Sequence, residues 1–449
     1  MPMNRRDALA SLAAIAATGT LRPRLAFTGS LAVPVRPLRT LAGSVDWNAV
    51  RELFPLGRDW THLSCFLFVS HPKPVAEAID TFRRKIDADT VWLEDAVLTD
   101  AEGRPYTKVK QSLADYVGGD PAEICVTSNT TGALAMAYQG LRIRRGQEIL
   151  TTEHDHFSHH ESIRYSAERS GATVRYIPLY DTPSSASVSQ MAERIARAIR
   201  PTTRAVGITW VQSSSGVKTP LKEIADVVAR ANRGRASANR CLLIVDGVHG
   251  FGNQDVDVAK TGVDFFATGT HKWLFAPRGT GFLWGKADAW PELRPTVPSF
   301  DPDVLPETWG AWMERKPLPP TRAAFVSPGG FLAYEHVLAT PAAVELHRSI
   351  GRSNIAARIV DLNSQFREGV AKIPGVTLHT PRDPAIAAGI NCFEVAGLTP
   401  EQVVEKLKAK RFRTTTSPYK VSYARVSAGI MNTPEEVDAV LRAIRDLRA

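Results

Sequence analysis

The stretch from Cys241 to Gly285, CLLIVDGVHGFGNQDVDVAKTGVDFFATGTHKWLFAPRGTGFLWG, constrains this chain more than any other. It opens with Leu242-Leu243-Ile244-Val245, an apolar run too short for a surface helix. That predicts a strand buried on both faces, as in parallel sheets. The run stops on Asp246, and open α/β sheets hold ligands at the carboxyl ends of such strands. A second strand, Val263 to Thr268, delivers Thr270-His271-Lys272-Trp273. An acid and a lysine are thus expected at one edge of one sheet.

Singly, each residue has an ordinary reading. An Asp at a strand end caps or turns the chain, a Lys before Trp is solvated, and a lone His is structural. The weight lies in the joint pattern of Asp246-x-x-His249, His271-Lys272 and Pro277-Arg278-Gly279-Thr280-Gly281. This pattern resembles the class V aminotransferase superfamily of pyridoxal-phosphate enzymes, which includes cysteine desulfurases, kynureninases and isopenicillin N epimerases. The resemblance runs from about residue 60 to the C-terminus. It implies an α/β chain of the pyridoxal-phosphate transferase fold type I. In that fold a mainly parallel large domain (46–335, its N-terminal segment contributing to the small domain) precedes a small α/β domain (336–449).

The same resemblance implies roles. Asp246 holds the proton on the cofactor's ring nitrogen, which keeps the ring an electron sink. Lys272 stands at the Schiff-base position, where burial and cationic neighbours make a neutral amine. His249 matches a contact to the ring hydroxyl, and Thr270 with His271 match contacts to the phosphate or ring edge.

Composition sets limits. Hydrophobic content of 44% and charged content of 22% suit a soluble globular enzyme. The net charge of +9 is uneven: residues 1–39 hold six Arg against one Asp, leaving +4 for the rest. No basic patch with interleaved aromatics calls for nucleic acid. Arg5-Arg6 before the Ala-rich stretch Ala8 to Ala17 is expected to be a twin-arginine signal (1–27). The stretch is too short and mild for stable membrane insertion, and a Pro- and Gly-bearing linker (28–45) follows. The twin-arginine translocation machinery is then a partner and the periplasm the destination. The cysteines, Cys65, Cys125, Cys241 and Cys392, form no CxxC pair, and Cys125, Cys241 and Cys392, in apolar strand-like runs, are expected to be buried.

Further along the chain, Glu123 to Thr127 predicts a strand running into Ser128-Asn129-Thr130-Thr131-Gly132 and a helix from Ala133 to Leu141. Hydroxyls and free amides at a helix start suit an anion. The family places its phosphate loop there, so Asn129, Thr130 and Thr131 are implied phosphate contacts. After the strand Glu148 to Thr152, the resemblance puts a ring stacked on the cofactor at His156 rather than His154. The histidine run, with His159 and His160, lacks further clustered ligands, so no metal is expected. The strand Ala205 to Val211 ends near Ser213, at a position where relatives contact the ring hydroxyl. A helix, Leu221 to Ala231, follows.

Residues 286–326 lack period and are expected to be loop-rich. Ser327-Pro328-Gly329-Gly330-Phe331 resembles the loop by which one subunit of a homodimer reaches its neighbour's cofactor. A helix from Thr340 is expected to continue to about Val370. Arg425, in a late strand from Val421 to Ser427, stands where the family binds a substrate carboxylate. A guanidinium fork suits that anion. Cys392 lies inside a strand and 413–420 holds no Cys, which disfavours desulfurase chemistry.

The resemblance thus implies a homodimeric pyridoxal-phosphate enzyme acting on an amino acid or peptide-derived amine. Proton removal from Cα by Lys272 is shared by transamination, epimerisation and elimination. The HKWL-APRG pattern is closest to the isopenicillin N epimerase-like group, whose exported members include enzymes maturing siderophore peptides. Two rivals remain: a catalytically dead binding protein on this fold, and a nicotinamide dehydrogenase. Gly247-x-x-Gly250-x-Gly252 lacks the glycine order the dehydrogenase needs.

Overall fold

The computed structural model describes residues 38–39, 43–98 and 104–447. Its central feature is a sheet of seven strands: β1 (Ile124–Thr127), β2 (Glu148–Thr152), β3 (Thr173–Ile177), β4 (Thr203–Thr209), β5 (Leu242–Asp246), β6 (Phe265–Gly269) and β7 (Gly281–Gly285). Their spatial order is β1-β7-β6-β5-β4-β2-β3. Strands β6, β5, β4, β2 and β3 pair in parallel, while β7 runs antiparallel to both its neighbours. Every residue of β1, β2 and β4 to β7 is buried, whereas edge strand β3 is partly exposed.

The apolar runs follow from helices covering both faces of the sheet. Alternate residues feed opposite layers. Leu242, Ile244, Phe265 and Ala267 pack into one apolar cluster, and Leu243, Val245 and Phe266 into another. Each buried Leu, Ile, Val or Phe among them stabilises the fold by about 1.5–3 kcal/mol. The strands are joined by helices Thr130–Gly140, Phe157–Ser170, Val188–Ala198 and Leu221–Ala231. These crossovers bring the carboxyl ends of the parallel strands to one edge.

A second, antiparallel sheet contains β8 (Val376–Leu378), β9 (Asn391–Val395), β10 (Thr415–Thr416) and β11 (Ala424–Val426), in the order β10-β11-β9-β8. Helices Arg352–Val370, Pro400–Ala409 and Pro434–Arg445 cover it, and Leu63, Phe366, Phe393, Val426 and Ile444 share its apolar cluster. Capping boxes at Thr399–Gln402 and Thr433–Glu436 fix where two of these helices begin. The early strand Thr61–His62 pairs with Phe412–Arg413, and Ser64 bridges to Ser427. The N-terminal segment therefore crosses to the C-terminal sheet.

Two expectations are corrected. The 286–326 excursion holds helices Leu305–Glu314 and Ala323–Val326. Helix Leu305–Glu314 buries only Leu305 and exposes Trp309, Trp312 and Met313, so it lacks the core-facing stripe that marks a helix in sequence. The helix expected from Thr340 to Val370 is two, Tyr334–Ile350 and Arg352–Val370, broken at Gly351 with φ +95°. At the other end of the chain, the expected signal (1–27) lies outside the described residues. Of the expected linker, Leu38 is buried and Arg39 bridges Val45. Among the described residues no helix is long and apolar enough to cross a membrane.

Candidate active site

The in-register pairing of Thr209 with Asp246 and of Asp246 with Ala267 aligns the ends of β4, β5 and β6. Asp246 is 2% exposed, and its Oδ1 accepts the Val248 amide at 3.1 Å. Burial pushes its carboxyl up to about 7; Asp155 adds to the rise, and Lys272 opposes it. Lys272 follows the end of β6. Burial lowers its ammonium to about 8, the Arg425 charge adds to that fall, and Asp246 opposes it. Desolvation thus outweighs mutual attraction in both partners and moves both groups toward neutral pH.

Two turns hold this pair. Gly252, with φ +82°, sits where a Cβ would come 2.4 Å from the Leu274 amide nitrogen and 2.5 Å from the Trp273 carbonyl carbon. A Cβ on Gly247 would strike the Phe266 ring, and one on Gly250 the Trp210 ring. The glycine run after β5 lets the Asp246 turn lie against the Lys272 turn.

Beside them begins helix Thr130–Gly140. Asn129 caps it, its Oδ1 accepting the Gly132 amide at 2.8 Å. Thr130 Oγ1 accepts the Gly269 amide at 2.7 Å, which ties the helix start to the end of β6 and leaves the hydroxyl proton free to donate. Thr131 is exposed at the same turn. Thr270 is fully buried, its hydroxyl paired with that of Thr280, whose carbonyl lies 3.3 Å from His271 Nδ1. Thr270 therefore braces the turn at 277–280, while His271 stays partly exposed.

The histidine run separates by geometry. His156 caps helix Phe157–Ser170, with Nδ1 2.8 Å from Ser158 Oγ; burial, then the Lys272 and Arg425 charges, lower it to about 4. His154 instead stacks on Tyr180 and accepts the Leu179 amide at 3.1 Å. His159 pairs with Tyr138 at 2.7 Å, and His160 lies 2.7 Å from the Thr152 carbonyl oxygen. Among the described residues no group of His, Cys, Asp or Glu could hold a metal.

Across the cleft, Arg425 is 4% exposed on β11, its guanidinium 4.6 Å from the centre of the Phe66 ring. Nη1 donates to the Ser213 carbonyl at 2.9 Å, Nη2 to the Thr416 carbonyl at 2.7 Å, and Nε to Thr415 Oγ1 at 3.2 Å. Phe66 also meets His249 edge-on at 5.8 Å. His249 is buried with no partner for Nδ1; burial, then Lys272 and Arg425, hold it well below the usual histidine range. Cys392 lies within β9, its thiol pushed up to about 12 by burial.

Three residues escaped the sequence reading. Asp155 accepts the Thr209 amide at 2.8 Å and the Thr151 hydroxyl and Thr152 amide at 3.0 Å, pinning β2 to β4. The threonine pair three and four residues before it, Thr152 and Thr151, was its signal. Phe66 and Tyr419 lie in segments with no period, and only folding brings them to the cleft.

The chain matches the aminotransferase class-V family over residues 70–440. It belongs to that family. It is 27% identical over 410 residues to an isopenicillin N epimerase of Streptomyces clavuligerus, covering 89% of this chain and 98% of that protein. It is 24% identical over 426 residues to a probable cysteine desulfurase of Halalkalibacterium halodurans, covering 88% and 97%. Among solved structures, a lysine-to-alanine mutant of C-DES with glycine covalently linked to its pyridoxal-phosphate cofactor superposes with TM-score 0.77 at 23% identity, over 88% of this chain and 99% of that one. A cysteine desulfurase of Thermococcus onnurineus gives 0.74 at 21%, over 89% and 97%. The class V family member thus has the expected fold type I architecture, with one strand of its large sheet antiparallel.

Proposed function

We propose that this class V protein is a pyridoxal-phosphate enzyme acting at the Cα of an amino acid or peptide-derived amine, in the manner of an aminotransferase, epimerase or lyase. The observation that carries the reading is the pairing of buried Asp246 with half-buried Lys272 at or just past adjacent strand ends, the carboxyl raised to about 7 and the ammonium lowered to about 8.

The residues fit the cofactor. The Asp246 carboxylate accepts the Val248 amide at Oδ1, and His249 Nδ1 is buried without a partner. The capped helix start at Asn129, Thr130 and Thr131 suits a phosphate. When bound, pyridoxal phosphate supplies an electron sink for a bond broken at Cα. Asp246 would hold the proton on its ring nitrogen, His156 would lie against the ring, and His249, Ser213, Thr270 and His271 would border it. Lys272, as a neutral amine, can take the Cα proton on Nζ. Arg425 would bind the substrate carboxylate.

The relation to an isopenicillin N epimerase supports an epimerase-like reading, with maturation of a siderophore or other secreted peptide as its exported form. The buried Cys392 and the cysteine-free segment 413–420 weigh against desulfurase chemistry. A perturbed acid–amine pair weighs against a catalytically dead binding protein. We also propose a homodimer with domains 46–335 and 336–449, the separate apolar cluster of the small sheet supporting that division. Arg5-Arg6 supports export by the twin-arginine route to the periplasm.

The test is the visible spectrum of the purified chain reconstituted with pyridoxal phosphate. Wild type is expected to be yellow and Lys272→Ala to lack the long-wavelength band. A colourless wild type, or an unchanged band in the variant, overturns the reading.

A further inference from the structure

The loop at 417–423 is folded tightly about Ser417. Its amide donates to the Tyr423 carbonyl at 2.9 Å, its Oγ accepts the Tyr423 amide at 2.8 Å, and its carbonyl accepts the Ser422 hydroxyl at 2.7 Å and the Tyr419 amide at 3.0 Å. This places Tyr419, half-buried, with its hydroxyl 2.7 Å from Ser213 Oγ and its ring edge-on to His156 at 6.1 Å. The backbone of Ser213 is held too, because its carbonyl accepts from Arg425 Nη1 at 2.9 Å.

Two hydroxyls share one hydrogen bond, so one O–H proton is left over. The phenol is the more acidic of the two and therefore the better donor. Burial, followed by the negative charges of Asp246 and Asp155, keeps that phenol protonated against the pull of Ser213 and Arg425. With Tyr419 donating to Ser213 Oγ, the serine proton is free to point into the cleft.

We infer that Tyr419 is a positioning residue that fixes the rotamer and donor direction of Ser213, so that Ser213 presents its proton to an anionic ring oxygen of the bound cofactor. The inference rests on the cofactor reading above and deepens it. A lone serine hydroxyl rotates freely and donates in several directions. Tied to a phenol from the loop that joins β10 to β11, it becomes a directed donor, and donation stabilises an anionic oxygen. Asp246, Lys272, His156, His249, His271 and Arg425 also face this cleft, so their charges set the starting point from which the Tyr419–Ser213 contribution is measured.

The experiment is a spectrophotometric pH titration of the visible band of the full chain loaded with pyridoxal phosphate, for wild type, Tyr419→Phe, Ser213→Ala and the double variant. Losing a donor to an anionic oxygen raises the pH at which the band changes. Each single variant is expected to move the midpoint upward by about one pH unit, the size of one charge-assisted hydrogen bond. The double variant is expected to move it no further than Ser213→Ala alone, because Tyr419 acts through Ser213. A wild-type midpoint in Tyr419→Phe, or additive shifts, overturns the inference. If Tyr419→Phe does not fold, as judged by thermal unfolding, an unmoved midpoint in Ser213→Ala overturns it equally. A wild type with no cofactor band would instead bring down the cofactor reading itself.

Discussion

Asp246 and Lys272 owe their properties to one cause, removal from water, and that cause has a measurable sign. The carboxyl's ordinary value of 3.8 rises to about 7, so the folded chain binds this proton more tightly than the unfolded chain. The stability it contributes is fully present below about pH 4 and is lost as pH rises through 7. Asp246→Asn, neutral throughout, should gain on wild type across that window in the cofactor-free protein, by up to about 4 kcal/mol. Thermal unfolding at a series of pH values checks this, and a gap that does not change with pH counts against the buried carboxyl. Arg425 spends three of its five N–H groups on Ser213, Thr416 and Thr415, so two remain for an anion. Arg425→Lys keeps the charge and loses the fork. It should raise KM roughly ten- to a hundredfold. An unmoved KM would mean a substrate with no free carboxylate at that point.

Elements tell where such residues can be read in advance. The buried strands were legible where they carry apolar runs, as parallel strands under helices do: Leu242–Asp246 and helix Leu221–Ala231 fall where their sequences place them. Strand ends were legible too, since Asp246 and the His271-Lys272 turn interrupt apolar runs. Tyr419 and Phe66 were not, because loops carry no period and their partners are distant in sequence. The glycines after β5 carried a weak dinucleotide signal, yet their cause is the close approach of two turns. Gly252→Ala tests this at the scale of the element. A Cβ 2.4 Å from backbone, on a left-handed residue, should cost about 1–3 kcal/mol and weaken cofactor retention by displacing the Lys272 turn. Unchanged thermal unfolding and an unchanged visible band would contradict it.

For the whole molecule, the proposed export by the twin-arginine route rests on Arg5-Arg6. Changing Arg5 and Arg6 to Lys conserves charge and removes the receptor-read pattern, so activity should be retained in the cytoplasm. Cell fractionation reads this directly, and undiminished periplasmic activity would indicate another route. The central claim concerns the pair at the strand ends, with Lys272 as the amine that carries the cofactor. Borohydride reduction of the loaded chain, followed by peptide mass mapping, tests it most directly. The account predicts the reduced cofactor's added mass on the peptide bearing Lys272 alone, and its loss in Lys272→Ala. Added mass on any other lysine of the wild-type chain would contradict it.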